Sequence, residues 1–445
     1  MNPRLTCLSL ALTGLCVSAG AVAQPLDLRQ AVDEALRANP MIAVGQARIE
    51  QAESAQAGAE GAHLPRLKLS LTVTRSNDAL NAFGMKLSQE RVGVADFNPA
   101  VLNNPAAVNN VNPRVELQLP LYTGGQIQAE VERARALARA ARQGDAAARQ
   151  ELTHQVASAY QGVHSARAHL GVAEQAERAA RETLRASEHL HREGVVTRAD
   201  VLSARAHLEE TRLRVLRARH RLESAEDGLR RLLGRGPLDR LELADGLAAA
   251  ALTINEAELL ARAQAEHPRL IALRERIAAA SAAMEAARAA RRPQIAALAR
   301  HDWNDKGIGL DAASYTLAGV LSWNAFDGGL ANAELGRARA ARSEAEAELR
   351  QAEAAVLFEV REALRQARTL DAEAEGRRAA LTDAEEAHRL TLRRHENGLA
   401  TLADRLASQA QLDRARVERV DNDHARALSR VEIKRAAGLL DPAQL

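Results

Sequence analysis

Aromatic residues and cysteine are scarce in this sequence, and each scarcity excludes a class of protein. Only 2% of the 445 residues are Phe, Trp or Tyr, so long, closely packed helices are expected rather than a thick globular core. Both cysteines, Cys7 and Cys16, lie near the N-terminus. Beyond that segment the chain can form no disulfide bond and can use no thiolate chemistry.

A long apolar run occurs once, at the N-terminus. Arg4 precedes an apolar stretch from Leu5 to Val22, which ends in Ala-Val-Ala before Gln24. This arrangement is typical of a secretory signal, here residues 1–23, that is removed on export. A retained membrane anchor is the alternative, and the small residues at the end of the run favour cleavage. Cys16 follows Thr-Gly-Leu, which is a poor match to a lipoprotein signal.

An excess of one charge is also lacking, since 60 basic side chains nearly balance 58 acidic ones. Nucleic acid is therefore not the expected partner. No sequence signature of a hydrolase, metalloprotease or nucleotide-binding loop occurs, so no enzymatic activity, metal or cofactor is expected. His189 and His191 would point about 200° apart on a helix, which favours solvated side chains over a shared metal site. The segment with Asp302, Asn304 and Asp305 is interpreted as a polar turn rather than a cation site.

The chain does contain a tandem repeat. Gly194 and Gly398 each interrupt a long run rich in Ala, Leu, Arg and Glu, and they are 204 residues apart. The Gly-Gly pair after PLYT recurs after NAFD at the same offset. Pro65 and Pro293 are 228 residues apart, so the first copy holds 24 extra residues. The predicted division is a signal at 1–23, a first repeat at 24–240 and a second repeat at 241–445.

Each of the two repeat glycines lies in the turn of a predicted helical hairpin. Glycine readily adopts the left-handed conformation that ends many helices, and a Thr-x-x-Asp sequence just after it is typical of a capping box. The hairpins are predicted at 125–233 and 329–437, with tips at about 193–200 and 397–404. The first arm runs for about 67 residues without proline, which is roughly 100 Å of helix.

Alternation of apolar and polar residues predicts four strands, two in each repeat. They are expected at about 66–76, 113–122, 293–303 and 314–326, and the Asn- and Pro-rich residues 77–113 are predicted to form a long loop. Strands of about ten residues with one apolar face fit the wall of a transmembrane β-barrel. Because four strands cannot close a barrel, the chain is expected to oligomerise.

This tandem repeat, with two strands and a helical hairpin in each copy, resembles the TolC-like outer membrane efflux proteins over nearly the whole mature chain. The resemblance is carried by Asn39-Pro40, by the Gly-Gly after each second strand, and by the Gly…Thr…Asp tips. It implies a homotrimer of mixed α and transmembrane β structure. Four strands from each chain would form a 12-stranded barrel in the lipid of the outer membrane, above a periplasmic tunnel of coiled-coil hairpins.

The same resemblance implies a function and partners. The protein would be the passive exit duct of a tripartite efflux pump, receiving substrates from a periplasmic adaptor and an inner-membrane transporter. The outer membrane component of a type I protein secretion system is the alternative. A periplasmic adaptor or a structural coiled-coil protein is the competing class, although an adaptor has one hairpin and a coiled coil needs no alternating strands. The cargo is not identified by the sequence.

The hairpin tips supply the candidate site residues. Those predicted to dock the adaptor are Gly194, Val195, Thr197, Gly398, Leu399 and Thr401. The resemblance implies that the tips close the tunnel and that an aspartate at the position of Asp404 lines the constriction, with Asp200 as its equivalent. Three such carboxylates around one axis would favour cations and raise one another's pKa. An ordinary helix cap is the alternative of equal weight.

This chain departs from well-known relatives at the second tip. They carry a second acidic residue where it has Ala407, and often an arginine where it has Ala400. A gate held by fewer charged contacts is therefore expected to open more readily.

Aromatic side chains on the fourth strand are candidates for membrane contacts. Tyr315 and Trp323 are eight residues apart on one predicted face, a distance of about 27 Å that approaches the height of a lipid-facing band. Together with Trp303 they are predicted to form an aromatic girdle. The alternative is that they are ordinary strand aromatics.

Overall fold

The computed structural model describes residues 25–248 and 255–444, so the predicted signal at 1–23 lies outside the described residues. Helices and strands follow the same order in both halves: two helices, two strands, a long helix and a return helix. The first half contains α1 (Leu28–Ala38), α2 (Pro40–Gly61), β1 (Arg66–Ser76), α3 (Ala79–Ser88), α4 (Pro99–Asn103), β2 (Val108–Tyr122), α5 (Gln126–Arg192) and α6 (Arg198–Leu233). The second half contains α7 (Glu256–Glu266), α8 (Pro268–Ala289), β3 (Gln294–Asn304), β4 (Ala312–Ser322), α9 (Leu330–Glu396) and α10 (Leu402–Ala436).

The long helices α5 and α9 are each 67 residues long. Both begin directly after a glycine in the left-handed conformation, Gly125 with φ of 92° and Gly329 with φ of 93°. At 1.5 Å per residue each helix is about 100 Å long. In the part of the chain that the structure describes, no helix is long and apolar enough to cross a membrane.

The four strands form one antiparallel sheet in the order β1-β2-β3-β4. Two predicted strand bounds were wrong. Strand β2 begins at Val108 rather than at 113, because its Asn-rich start pairs with the end of β1, where Ser76 lies opposite Val108. Strand β4 ends at Ser322 rather than at 326, and pairing with β3 ends at the same residue.

The predicted long loop at 77–113 was also wrong, since this segment contains α3, a 3₁₀ turn at Val94–Phe97 and α4. Asp78 caps α3 by accepting the Asn81 N–H at 2.9 Å, and Asn98 caps α4 by accepting the Ala100 N–H at 3.0 Å. Asp and Asn are preferred helix caps, so residues interpreted as loop formers here start helices instead.

The register gives the sheet one apolar and one polar face. Leu67 lies opposite Leu117, which lies opposite Ala299, which lies opposite Leu317. In the next row, Lys68, Glu116, Arg300 and Thr316 are aligned in the same way. Because side chains alternate between faces, apolar and charged rows stay separate across all four strands. The apolar face is exposed: Leu69 and Val73 each have an exposed fraction of 71%.

The helices lie side by side in a layer, and their order follows that of the strands to which they are connected. Next to the sheet, α2, α5, α8 and α9 lie side by side, and towards the tips α6, α5, α10 and α9 do so. Helices α6 and α2 meet end to end beside α5, where the Asn39 side chain donates to the Leu232 carbonyl at 3.0 Å. Among the described residues, two separate hydrophobic cores lie at these junctions, one around α5 and one around α9.

Polar contacts between α5 and α10 join the two hairpins. The His154 Nε2 is 2.8 Å from the Glu432 carboxylate, and the His169 Nε2 is 2.7 Å from that of Asp421. Burial alone would raise the pKa of Glu432, but hydrogen bonds from Arg435 and His154 lower it to about 2. Glu432 is therefore charged at neutral pH, and its contact with His154 links α10 to α5.

Candidate functional site

The two hairpin tips have the same backbone geometry. Gly194 and Gly398 adopt φ of 76° and 74°. In the first tip the Val195 N–H donates to the Leu190 carbonyl at 2.9 Å, and in the second the Leu399 N–H donates to the Arg394 carbonyl at 2.8 Å. This is the Schellman pattern, which satisfies the last carbonyls of a helix and requires a residue that tolerates positive φ.

A capping box starts the return helix at each tip. The Thr401 N–H donates to the Asp404 Oδ2 at 2.9 Å, while the Asp404 N–H donates to the Thr401 Oγ1 at 3.1 Å. Thr197 and Asp200 form the same pair, at 2.9 Å and 3.3 Å. The capping interpretation therefore applies to both aspartates, and their equal geometry makes each the natural control for the other.

Hydrogen bonds also fix the charge of these carboxylates. The N–H and O–H of Thr401 hold the pKa of Asp404 below its usual value, and the Thr197 side chain and backbone do the same for Asp200. Within a single chain both aspartates are therefore ionised at neutral pH. The higher pKa expected from a ring of three carboxylates stays a prediction.

The tips present apolar side chains to the surroundings. Val195 and Leu399 have exposed fractions of 68% and 69%. A Cβ built on Gly194 or Gly398 would meet nothing within 4 Å, so backbone conformation rather than space is the constraint there. Exposed apolar residues at a rigid turn are typical of a contact surface, and their role in docking stays a prediction.

The polar face of the sheet holds a charged cluster that the sequence interpretation missed. The Arg114 Nε lies 2.5 Å from the Asp302 Oδ1, and the Arg300 Nε lies 2.7 Å from the other oxygen of that carboxylate. Asp302 and Asn304 belong to β3, so their assignment to a turn was wrong. Polar residues at every second position from 300 to 304 continue the strand periodicity, and this signal could have found them.

Above this cluster, amide side chains connect the inserted helix α3 to the polar face. The Gln89 side chain donates to the Asn109 carbonyl and to the Asn110 side chain, both at 2.8 Å. Asn110 in turn donates to the Asn304 Oδ1 at 2.9 Å. The insertion is thereby anchored to the same face that carries the charges.

The three predicted girdle aromatics occupy both ends of the apolar face. Trp303 and Tyr315 lie near the β3–β4 loop, where His301 is opposite Tyr315 and its ring contacts Trp303 with centroids 4.3 Å apart. Trp323 lies just beyond β4, and its indole N–H donates to the Arg291 carbonyl at 3.1 Å. Tyr315 and Trp323 have exposed fractions of 77% and 58%. Their contact with lipid stays a prediction.

Comparison with known families identifies the fold. The outer membrane efflux protein family matches residues 31–235 and 259–439. The chain belongs to this family. Its two matched segments leave out the region around residues 249–254, which also lies outside the described residues.

Individual proteins agree with the family assignment. Protein CyaE of Bordetella pertussis is 30% identical over 273 residues, which are 61% of this chain and 53% of that protein. The chain thus spans about half the length of this curated relative. The outer membrane channel CmeC of Campylobacter jejuni has a TM-score of 0.82 at 17% identity, covering 94% of this chain and 88% of that one. The outer membrane protein VceC of Vibrio cholerae has a TM-score of 0.77 at 20% identity, covering 92% and 96%.

These findings confirm the predicted fold class and location. The chain is an outer membrane protein of mixed α and β structure, and its four-stranded sheet with long helices has the fold of outer membrane channels. The family and the fold are those of a passive channel and not of an enzyme.

Proposed function

We propose that three copies of this chain form the exit duct of a tripartite export system, with a periplasmic adaptor and an inner-membrane transporter below it. The observation that carries the proposal is a sheet with one apolar face and one polar face, whose edge strands β1 and β4 each have a free side in the described part of the chain. In lipid each unpaired backbone group costs several kcal/mol, so these edges must pair with other copies.

The two repeats indicate how the copies would meet. A Cβ built on Gly124 would lie 2.8 Å from the Arg292 Cβ and 2.9 Å from the Ala289 carbonyl oxygen, whereas one built on Gly328 would meet nothing within 4 Å. The repeat offsets make Gly61 and Leu64 the equivalents of Ala289 and Arg292. Leu64 has an exposed fraction of 63%, which is consistent with burial against a second copy.

The same offsets specify a contact between strands of neighbouring copies. Within the chain, Gln118 lies opposite Leu298. Their equivalents are Ser322 and Ser70, so we expect Ser322 of β4 to face Ser70 of β1 in the next copy. Because the predicted mature chain has no cysteine, the double variant Ser70→Cys/Ser322→Cys should crosslink into a covalent trimer under mild oxidation.

A matched control tests the register. Ser70→Cys/Ser314→Cys uses a serine on the same face but about 26 Å further along β4. It should give no crosslinked species on denaturing gels. Equal crosslinking of both variants, or a monomeric wild-type protein in detergent by native mass spectrometry, would contradict the barrel proposed here.

Docking of the adaptor requires the tips to face the periplasm, and labelling of single cysteines in intact cells tests this orientation. Val195→Cys and Leu399→Cys place single thiols on the exposed tip residues, and Val94→Cys places one in the insertion, where the exposed fraction is 93%. An impermeant maleimide should label only Val94→Cys in intact cells. Bifunctional reagents should link the tip thiols to an adaptor, and surface labelling of the tips would exclude docking.

The captured protein also separates the two versions of the function. An adaptor that belongs to a drug or metal efflux pump supports the tripartite pump. An adaptor that belongs to an exporter of whole proteins supports type I secretion instead. Both versions use the same duct, so this result leaves the channel itself unaffected.

Asp404 is proposed to line the narrow end of the tunnel in addition to capping α10. In planar bilayers Asp404→Asn should lower the selectivity for cations, because a ring of three carboxylates loses its charge. Asp200→Asn alters an identical capping box and should have a smaller effect on selectivity. If both variants lower thermal stability equally and neither changes the ion selectivity, Asp404 only caps α10.

A further inference from the structure

The polar face of the sheet carries an excess of positive charge. In the strand register, its charged side chains occupy even-numbered positions throughout, and they are Arg66, Lys68, Arg114, Glu116, Arg300 and Asp302. Four are basic and two are acidic, which gives a net charge of +2 per chain. Among the described residues of strands β1 to β4, the opposite face has one Lys, Arg, Asp or Glu, which is Arg75 near the loop end of β1; Asp305, just beyond β3, pairs with Val111 on that face.

Only part of this charge is neutralised locally. Asp302 is buried, with 8% of its side chain exposed, and it interacts with both Arg114 and Arg300. One carboxylate therefore serves two guanidinium groups, each about one third exposed. Lys68 and Glu116 lie opposite each other, and among the described residues neither they nor Arg66 has an ion pair. The excess charge is thus solvated rather than buried in the wall.

We propose that this cationic band makes the barrel lumen an anion-attracting segment that favours the passage of negatively charged solutes, such as carboxylates and phosphate esters. The inference rests on the proposed trimeric duct, in which the polar face lines the lumen and three copies bring the band to a net charge of +6. Charges of one sign inside a low-dielectric wall concentrate counter-ions in the enclosed space.

The dimensions of the barrel make the effect measurable. Twelve strands about 4.8 Å apart and tilted by about 40° enclose a backbone circle of roughly 12 Å radius. The side chains narrow this space further. Because the Debye length is about 10 Å at 0.1 M salt, the field of the band reaches the axis at that concentration and is screened at 1 M.

The band would act in series with the carboxylates at the tips. Asp200 and Asp404 lie about 100 Å of helix away from the strands, far beyond the Debye length. The electrostatic fields of the two ends therefore do not overlap.

The test is a selectivity measurement on the full-length protein in planar bilayers with a gradient of about 0.1 M potassium chloride. Arg66→Gln/Lys68→Gln removes two exposed cations per chain without breaking any ion pair, and takes the band from +6 to zero. The chloride-to-potassium permeability ratio should fall by about twofold. Arg75→Gln, on the opposite face of the same strand, should leave the ratio unchanged.

A second readout addresses the class of solute directly. Inorganic tripolyphosphate added on the loop side of the barrel should block the wild-type current, and the double variant should require a several-fold higher concentration. A conducting double variant with wild-type selectivity and block would overturn the cationic band while leaving the duct intact. A wild-type protein that stays monomeric in detergent would contradict the proposed duct itself and this inference with it.

Discussion

The two repeats build equivalent hydrophobic cores with different residues, and the differences show where the halves have diverged. Val156 and Val360 occupy equivalent positions, and both are almost completely buried. Four residues further on, the first repeat has Tyr160 and the second repeat has Leu364, and both lie in their cores. The Tyr160 hydroxyl donates to the Leu26 carbonyl at 3.0 Å. The Tyr160 hydroxyl thus adds a polar anchor to the core of the first repeat, and Leu364 has no such group at the equivalent position.

A second difference lies where the short helices meet. Asn39 ends α1 and caps α2 in the first repeat, and His267 ends α7 and caps α8 in the second. The Asn39 Oδ1 accepts the Met41 N–H at 2.9 Å, and the His267 Nδ1 accepts the Arg269 N–H at 3.1 Å. One backbone geometry is therefore maintained by a neutral amide in one half and by a titratable ring in the other.

The largest expected effects come from the core positions. Tyr160→Ala should lower the free energy of unfolding by about 3–5 kcal/mol, and Leu364→Ala by about 2–5 kcal/mol, since each leaves a cavity. Tyr160→Phe should cost about 1–2 kcal/mol, because it removes only the hydrogen bonds of the hydroxyl. Urea unfolding followed by circular dichroism checks all three. No loss in Tyr160→Phe would show that the anchor adds nothing to the core.

Alanine substitutions at Gly124, after β2, and at Gly328, after β4, test whether a second copy covers the β4 edge in the trimer. Gly124→Ala should cost about 1–2 kcal/mol for its φ of 64° and about 1–3 kcal/mol more for overpacking against Arg292. In the assembled trimer Gly328→Ala, with φ of 68°, should cost the same, because a second copy would cover it. The dissociation temperature of the trimer measures both. A clearly smaller loss for Gly328→Ala would mean that this edge stays uncovered.

The smallest of these effects is a pH dependence confined to the second repeat. Burial, together with Arg269 and Arg435, lowers the pKa of His267 from 6.5 to about 4. The unfolded chain binds this proton more readily, so the contribution of His267 to stability is complete above pH 6.5 and is lost as the pH falls towards 4. The loss should be on the order of 1–3 kcal/mol.

His267→Asn provides the control, because it introduces the cap that Asn39 already supplies in the first repeat. The difference in unfolding free energy between wild type and variant should shrink or reverse between pH 6.5 and 4. Parallel stability profiles over that range would show that His267 does not titrate as its surroundings indicate.

Local features of the chain were predictable because they depend on neighbouring residues. Glycine followed by Thr-x-x-Asp specified both tips, and the alternation of apolar and polar residues placed β1 at its observed bounds, Arg66–Ser76. The insertion was less predictable, since Asn and Asp serve equally well in loops and as helix caps. The start of β2 was missed because cross-strand pairing with β1, rather than the propensity of its Asn residues, keeps residues 108–112 extended.

By itself, the sequence determined the repeat, the hairpin turns and the separation of apolar from polar residues along each strand, since these depend on spacing within a few residues. Only the tertiary structure decided which charges share a face and which partner each one has. Arg114 and Asp302 are 188 residues apart in the chain and become neighbours through the pairing of β2 with β3. Such contacts depend on strand register, which is set by the packing of the whole sheet and its helices rather than by local periodicity.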